Sequence, residues 1–273
     1  MQQVLFVCIL LYMLSAAAYS VYLVIQRDKV QLIGGLLLAA GFAGQTLFIA
    51  WRYAQTGHMP VNNLHETLVI VAWALVAVFL LLRFRFKLKV LGVYAAPLAT
   101  FILLAAIQFP AEPLQPDNVL KGFWLVVHII TIFVGDGALV LAAGVGVLYL
   151  LQERAIKNKS RGFFFKRLPS LERLDTTGYA CIVTGFTMLT IGLIAGMVYA
   201  KTLWGRFWSW DPKEVWSAIT WIFYAVLLHQ RLTVGWRGRR AALMAIVGLS
   251  VLLFTFLGVN FLLEGHHGRF TQF

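Results

Sequence analysis

Residues 123–151 read FWLVVHIITIFVGDGALVLAAGVGVLYLL, with Asp136 as the one charged side chain. A helix needs about 20 mostly apolar residues to cross the hydrocarbon core of a bilayer. This run exceeds that length and is apolar on every face, which marks a membrane span. Similar runs recur near 4–25, 30–51, 67–82, 90–109, 178–200, 213–234 and 241–263. The third is short, and the fifth is long enough to tilt or to emerge from the bilayer. Together they predict an all-α polytopic membrane bundle of about eight transmembrane helices, a single integral-membrane domain over 1–273.

Composition agrees. Of 273 residues, 60% are apolar and 12% charged, whereas a soluble domain carries about 25% charged residues. An ordinary cytosolic enzyme, a disordered chain and a disulfide scaffold are excluded. Cys8 and Cys181 both fall inside apolar runs with no C-x-x-C between them, so they read as inert buried thiols.

The formal net charge of +12 follows from topology. Basic residues cluster after the first, third, fifth and seventh spans: Arg27 and Lys29, then Arg83 to Lys89, Arg154 to Arg173, and Arg231 to Arg240. That side holds seventeen Lys and Arg residues against six on the other. The positive-inside rule makes the first set cytoplasmic and puts both termini outside. The basic balance therefore implies anionic lipid heads and no nucleic acid. Ala16-Ala17-Ala18 resembles a cleavage site, but no basic side chain precedes the run, which continues to Ile25. An uncleaved first span is expected.

Between the sixth and seventh spans the chain reads KTLWGRFWSWDPKEVWSAITWIFYAVLLH over 201–229. Trp204, Trp208, Trp210, Trp216 and Trp221 are five of the nine tryptophans. Interfacial tryptophan belts are common in membrane proteins, but this density and order suggest more. Asp211 suits an N-cap, Pro212 the first helical position, and Glu214 completes a capping box. Trp204 and Trp208 share a face if their stretch is helical. The expected result is a flat aromatic surface at about 201–221 with Arg206 and Lys213 among the rings. It suits a large planar ligand with an apolar body and carboxylates at one edge, as in haem.

Imidazole is an axial ligand for haem iron. His58, His65, His128, His266 and His267 all map to the outer side, and His229 alone lies deep. A polar residue near water explains His58, and a structural hydrogen bond beside Glu66 explains His65. His128, His229 and the tail pair are the better ligand candidates. Asp136, eight residues inside His128, is either a proton or cofactor group or a buried hydrogen-bonding side chain. Gln45 reads as an interhelical hydrogen-bond partner.

The order Trp204-Gly205-x-x-Trp208-x-Trp210-Asp211-Pro212-Lys213-Glu214-x-Trp216, then Trp221 and Leu228-His229, resembles the WWD signature of haem-handling membrane proteins. Within that superfamily the Asp-Pro-Lys-Glu continuation and the length resemble the CcsA/ResC family of system II cytochrome c biogenesis. The resemblance implies a multi-pass protein of the cytoplasmic (inner) membrane with the WWD loop on the outer side. It further implies that the chain moves haem b to the outer face and presents it for thioether attachment to the C-x-x-C-H segment of apocytochrome c. By the same resemblance, haem-iron ligands are His128, His229 and one of His266 and His267, the tryptophans, Asp211, Arg206 and Lys213 contact the cofactor, and a ResB/CcsB-type subunit is the partner needed for lyase activity. His65 stands where a tyrosine is expected in many relatives. Alternative readings are a membrane haem-binding electron carrier, a transporter of another solute with a helix broken at Gly135 and Gly137, and a regulatory relative in haem biosynthesis.

Overall fold

The computed structural model describes residues 2–86, 89–110, 121–159 and 162–263. Among these residues the chain is helical with no strand. The helices are α1 (Gln2–Ile25), α2 (Asp28–Thr56), α3 (Leu64–Phe86), α4 (Gly92–Ala106), α5 (Phe123–Lys157), α6 (Phe163–Arg167), α7 (Leu171–Trp204), α8 (Pro212–His229), α9 (Arg239–Leu253) and α10 (Val259–Leu262). Among the described residues, seven segments are long and apolar enough to cross a membrane: those of α1, α2, α3, α5 and α7, Lys89–Ala106 ending in α4, and Arg239–Gly258, the α9 segment, in which α9 continues into a π-helical turn. The run expected near 213–234 is α8 followed by a π-helical turn, Gln230–Val234. Lys213, Glu214 and His229 at its ends make it more polar than the other seven.

Helix ends follow local chemistry. Gly57 closes α2 and Gly205 closes α7, each in the left-handed region that only glycine adopts without a steric penalty. The side chain of Ser170 caps α7 by accepting from the Arg173 amide. This cap starts α7 well before the apolar run at 178, so the helix is longer than the span inside it.

α5 is the hub, touching α3, α4, α7 and α9. Small residues permit such close approach where lipid supplies no hydrophobic drive between helices. A Cβ on Gly135 would lie 3.1 Å from the Gly185 carbonyl of α7, and one on Gly137 3.2 Å from Ala74 of α3. One on Gly146 would lie 2.8 Å from the Ala242 carbonyl of α9. α5 runs unbroken through Gly135-Asp136-Gly137; the glycines serve packing, and the broken helix that would favour a solute transporter is not formed.

Polar side chains tie the apolar interior. Tyr12 donates to Gln45 Oε1 at 2.6 Å, and Gln45 Nε2 donates to the Val69 carbonyl at 2.9 Å, linking α1, α2 and α3. Outside, Phe6, Leu10, Leu47, Leu81 and Phe101 are exposed, as a lipid-facing surface requires. Loops joining alternate helices gather at one end, called here the basic end. There Lys89 pairs with Asp28, Arg167 donates to the Val24 carbonyl, and Arg231 grips Asp175. The tryptophan loop lies at the other end.

Candidate site at the tryptophan end

A cavity of about 250 Å³ sits between α5, α7, α8 and the α9 segment at the tryptophan end. Its wall is mostly apolar, with His128 and Asp136 from α5, Trp204 and Trp208 at the loop, Lys213 from α8 and Thr255 among its lining.

His128 is fixed by α7. Its Nδ1 lies 2.7 Å from the Gly192 carbonyl. A carbonyl only accepts, so Nδ1 carries a proton, and the neutral ring then has its lone pair on Nε2. That is the tautomer in which a metal-binding histidine is held by a carbonyl behind it. The ring has room because α7 carries Gly192-x-x-x-Gly196: a Cβ on Gly196 would lie 2.7 Å from Nδ1 and 2.9 Å from Cε1. The pattern is a small-xxx-small motif of the kind that marks a close helix–helix contact. It is visible in the sequence, and it is the signal that could have pointed to α7 as the helix backing a ligand.

The loop between α7 and α8 is rigidly stapled. Asp211 accepts from the Lys213 amide at 2.9 Å, and Glu214 accepts from the Asp211 amide at 3.3 Å, the expected capping box. Glu214 also accepts from the amide and hydroxyl of Ser209, at 2.8 and 2.9 Å. Its carboxylate thus orders the chain on both sides of Trp210. Trp210 has φ +60°, which costs a non-glycine residue about 1–2 kcal/mol. The residue is 78% exposed, and its ring meets Trp208 edge-on, with centroids 5.9 Å apart. A strained backbone holding a large apolar ring in the open is a feature that packing does not explain.

The five tryptophans do not form one surface. α7 ends at Trp204, so the two rings share no helical face: the last residue of α7 places Trp204 at the cavity and the loop beyond Gly205 brings Trp208 to it. Trp216 packs on Phe254 of the α9 segment at 4.4 Å between centroids. Trp221 stacks on Phe186 of α7 at 5.3 Å and donates to Thr190 at 2.8 Å. These two join helices. Arg206 is exposed, and Lys213 faces the cavity.

The remaining histidines divide. His65 Nδ1 donates to the Ala106 carbonyl at 2.8 Å, satisfying the last turn of α4. His58 is buried with Nδ1 3.1 Å from the Met59 carbonyl. His229 ends α8 at the basic end, exposed on the bundle surface, far along α8 from Lys213. The π-helical turn after it is fixed by Arg231, whose guanidinium grips Asp175 with two bonds of 3.0 and 2.7 Å and lies over the Tyr179 ring. His266 and His267 lie outside the described residues.

Fold and site together define a polytopic helical membrane protein with an aromatic, histidine-bearing cavity at one end. Residues 61–267 match the family described as cytochrome C assembly protein. The cytochrome c biogenesis protein CcsA of Guillardia theta is 35% identical over 81% of this chain and 80% of its own length. CcsA of Synechococcus sp. (strain CC9902) is 37% identical over 85% of this chain and 84% of its own. The chain belongs to the cytochrome c assembly family, in its CcsA group. Among solved structures, cytochrome c heme lyase CcmF superposes on 98% of this chain with a TM-score of 0.65 at 16% identity. The chain spans 48% of that protein, and the likeness is one of fold.

Proposed function

We propose that this chain is the haem-handling subunit of a system II cytochrome c synthase in the cytoplasmic (inner) membrane, receiving haem b as substrate and presenting it at the outer face to apocytochrome c. The observation that carries this reading is His128, held by the Gly192 carbonyl in the Nε2-basic tautomer at a cavity rimmed by Trp204 and Trp208. A cavity of about 250 Å³ is smaller than the roughly 300–1,000 Å³ of whole-ligand pockets. It takes part of a macrocycle, and the rest lies against the tryptophan loop. Trp210, exposed and strained, is the ring best situated for that contact, and Lys213 and Arg206 are the cations for propionates. Asp211 acts by holding the start of α8.

On this reading His128 is one axial ligand and His266 or His267 the other. Each thioether forms as an apocytochrome cysteine S–H adds across a haem vinyl group, sulfur to one carbon and hydrogen to the other. Cys8 and Cys181 are buried in the bundle and take no part. The chain contributes orientation, which brings the reacting groups into register. His229, at the basic end on the cytoplasmic side, meets haem earlier in its passage, with its second ligand from a ResB/CcsB-type subunit. Coexpression of the chain, that subunit and an apocytochrome tests the proposal. His128→Ala is expected to remove covalent haem from the cytochrome, seen by haem stain, while the membrane level of the chain is unchanged. Undiminished attachment would sink the assignment.

A further inference from the structure

Arg83 stands in the last turn of α3 at the basic end, partly buried, and makes no ion pair among the described residues. The acid at this corner of the bundle, Asp28, pairs with Lys89. An arginine near the end of a membrane helix ordinarily extends its head to the water. Arg83 instead folds back on α2, its guanidinium filling the space that a Cβ on Gly35 would take. The preceding Gly34 serves packing, with Ala18 of α1 3.2 Å from its Cβ position; Gly35 makes room for a charge. Buried Gln31, one turn earlier on α2, orients that charge. With its oxygen towards the guanidinium it accepts from Nε at 3.1 Å and from Nη2 at 2.7 Å. Two of the five guanidinium N–H groups are thereby used. Nη1 is left open to the surface, and an amide oxygen carries no charge to balance the arginine. Leu32 and Leu36 on α2 and Phe84 on α3, close in sequence to Gly35 and Arg83, are exposed, so this surface faces lipid chains.

We propose that Arg83, cradled by Gly35 and oriented by Gln31, binds the phosphodiester of an anionic phospholipid at the basic end. The N–H pair that remains at the far edge of the guanidinium, one from Nη1 and one from Nη2, matches two oxygens of a phosphate. The acyl chains lie against the exposed apolar flank. A choline or ethanolamine head brings its own cation to the phosphate, whereas an anionic lipid supplies the charge that Arg83 lacks within the chain. The proposal is independent of the haem reading.

The test is native mass spectrometry of the full chain, purified in mild detergent and titrated with phosphatidylglycerol or phosphatidylcholine. The wild type is expected to bind its first phosphatidylglycerol about tenfold more tightly than phosphatidylcholine, the order of one charge-assisted hydrogen bond. Arg83→Gln is expected to remove that preference. Gly35→Ala keeps every charge but puts a methyl where the guanidinium sits, and is expected to remove it too. Arg85→Gln takes an exposed cation from the same helix end and should change the preference by no more than about twofold. No preference in the wild type, equal losses from Arg83→Gln and Arg85→Gln, or full retention in Gly35→Ala would each overturn the proposal. Added inorganic phosphate is expected to leave the lipid bound; displacement would mark a site for free anions and overturn the lipid assignment. Should Arg83→Gln or Gly35→Ala not accumulate, Arg83→Lys serves in its place, because it keeps the charge without the fork. Its preference is expected to fall severalfold, and an unchanged preference overturns the proposal.

Discussion

Substituting Gly196 with alanine perturbs His128 without touching its chemistry. The new methyl would lie 2.7 Å from Nδ1 and 2.9 Å from Cε1, well inside ordinary carbon–nitrogen contact, so the imidazole must shift. The 2.7 Å bond to the Gly192 carbonyl cannot survive that shift. Overpacking of this kind costs about 1–3 kcal/mol, of which alanine returns about 1 kcal/mol through helix propensity. The net loss of stability is therefore modest, about 2 kcal/mol at most. The ligand geometry, by contrast, is lost outright. Thermal denaturation of the detergent-solubilised complex is expected to show a drop of a few degrees, while the reduced absorption spectrum loses its low-spin haem bands. Gly178→Ala is the control on the same helix: its methyl would meet Val145 Cγ1 at 3.5 Å, ordinary contact, and both readings should hold. An unchanged spectrum in the Gly196→Ala variant would show that the α7 groove does not position a haem ligand.

Trp210→Gly relieves a left-handed backbone at an exposed ring, so stability should hold or rise by about 1 kcal/mol while haem attachment in the coexpression assay falls. Asp211→Ala removes the α8 cap and should cost about 0.5–2 kcal/mol, measured as a lowered Tm. Asp175→Ala leaves the largely buried Arg231 guanidinium without its carboxylate; a loss of about 3–5 kcal/mol is expected, with proteolysis appearing first between α8 and α9. Gln45→Leu breaks the Tyr12–Gln45–Val69 chain and should lower stability by about 1–2 kcal/mol without altering haem content.

The architecture was legible because spans need length and apolarity, properties of a sequence window alone. The capping box at Asp211-Pro212-Lys213-Glu214 was legible for the same reason, since its contacts lie within four residues. Interactions between distant segments were not. Nothing near His128 in sequence announces that its ring rests against α7, because the hydrogen bond joins residues 64 positions apart. The five tryptophans looked like one surface because spacing along the chain does not reveal which rings face a neighbouring helix. Phe254 and Phe186 take Trp216 and Trp221 into packing, while the end of α7 and the loop after it deliver Trp204 and Trp208 to the cavity. His65 was ambiguous until the Ala106 carbonyl lay beside it. The pair Gly135 and Gly137, open to reading as a break in α5, proved to be sites of close helix approach.

Everything proposed for the tryptophan end depends on His128 binding haem iron through Nε2. Replacing it with glycine and supplying imidazole in solution isolates that bond, because a free imidazole can occupy the vacated space and restore the ligand. In the purified complex, reduced with dithionite, His128→Gly is expected to lose the low-spin haem bands beyond those of haem at His229 and to regain them as imidazole is added, with imidazole alkylated on both nitrogens failing to rescue. A variant that keeps the full low-spin spectrum without imidazole would contradict the assignment of His128 as a ligand.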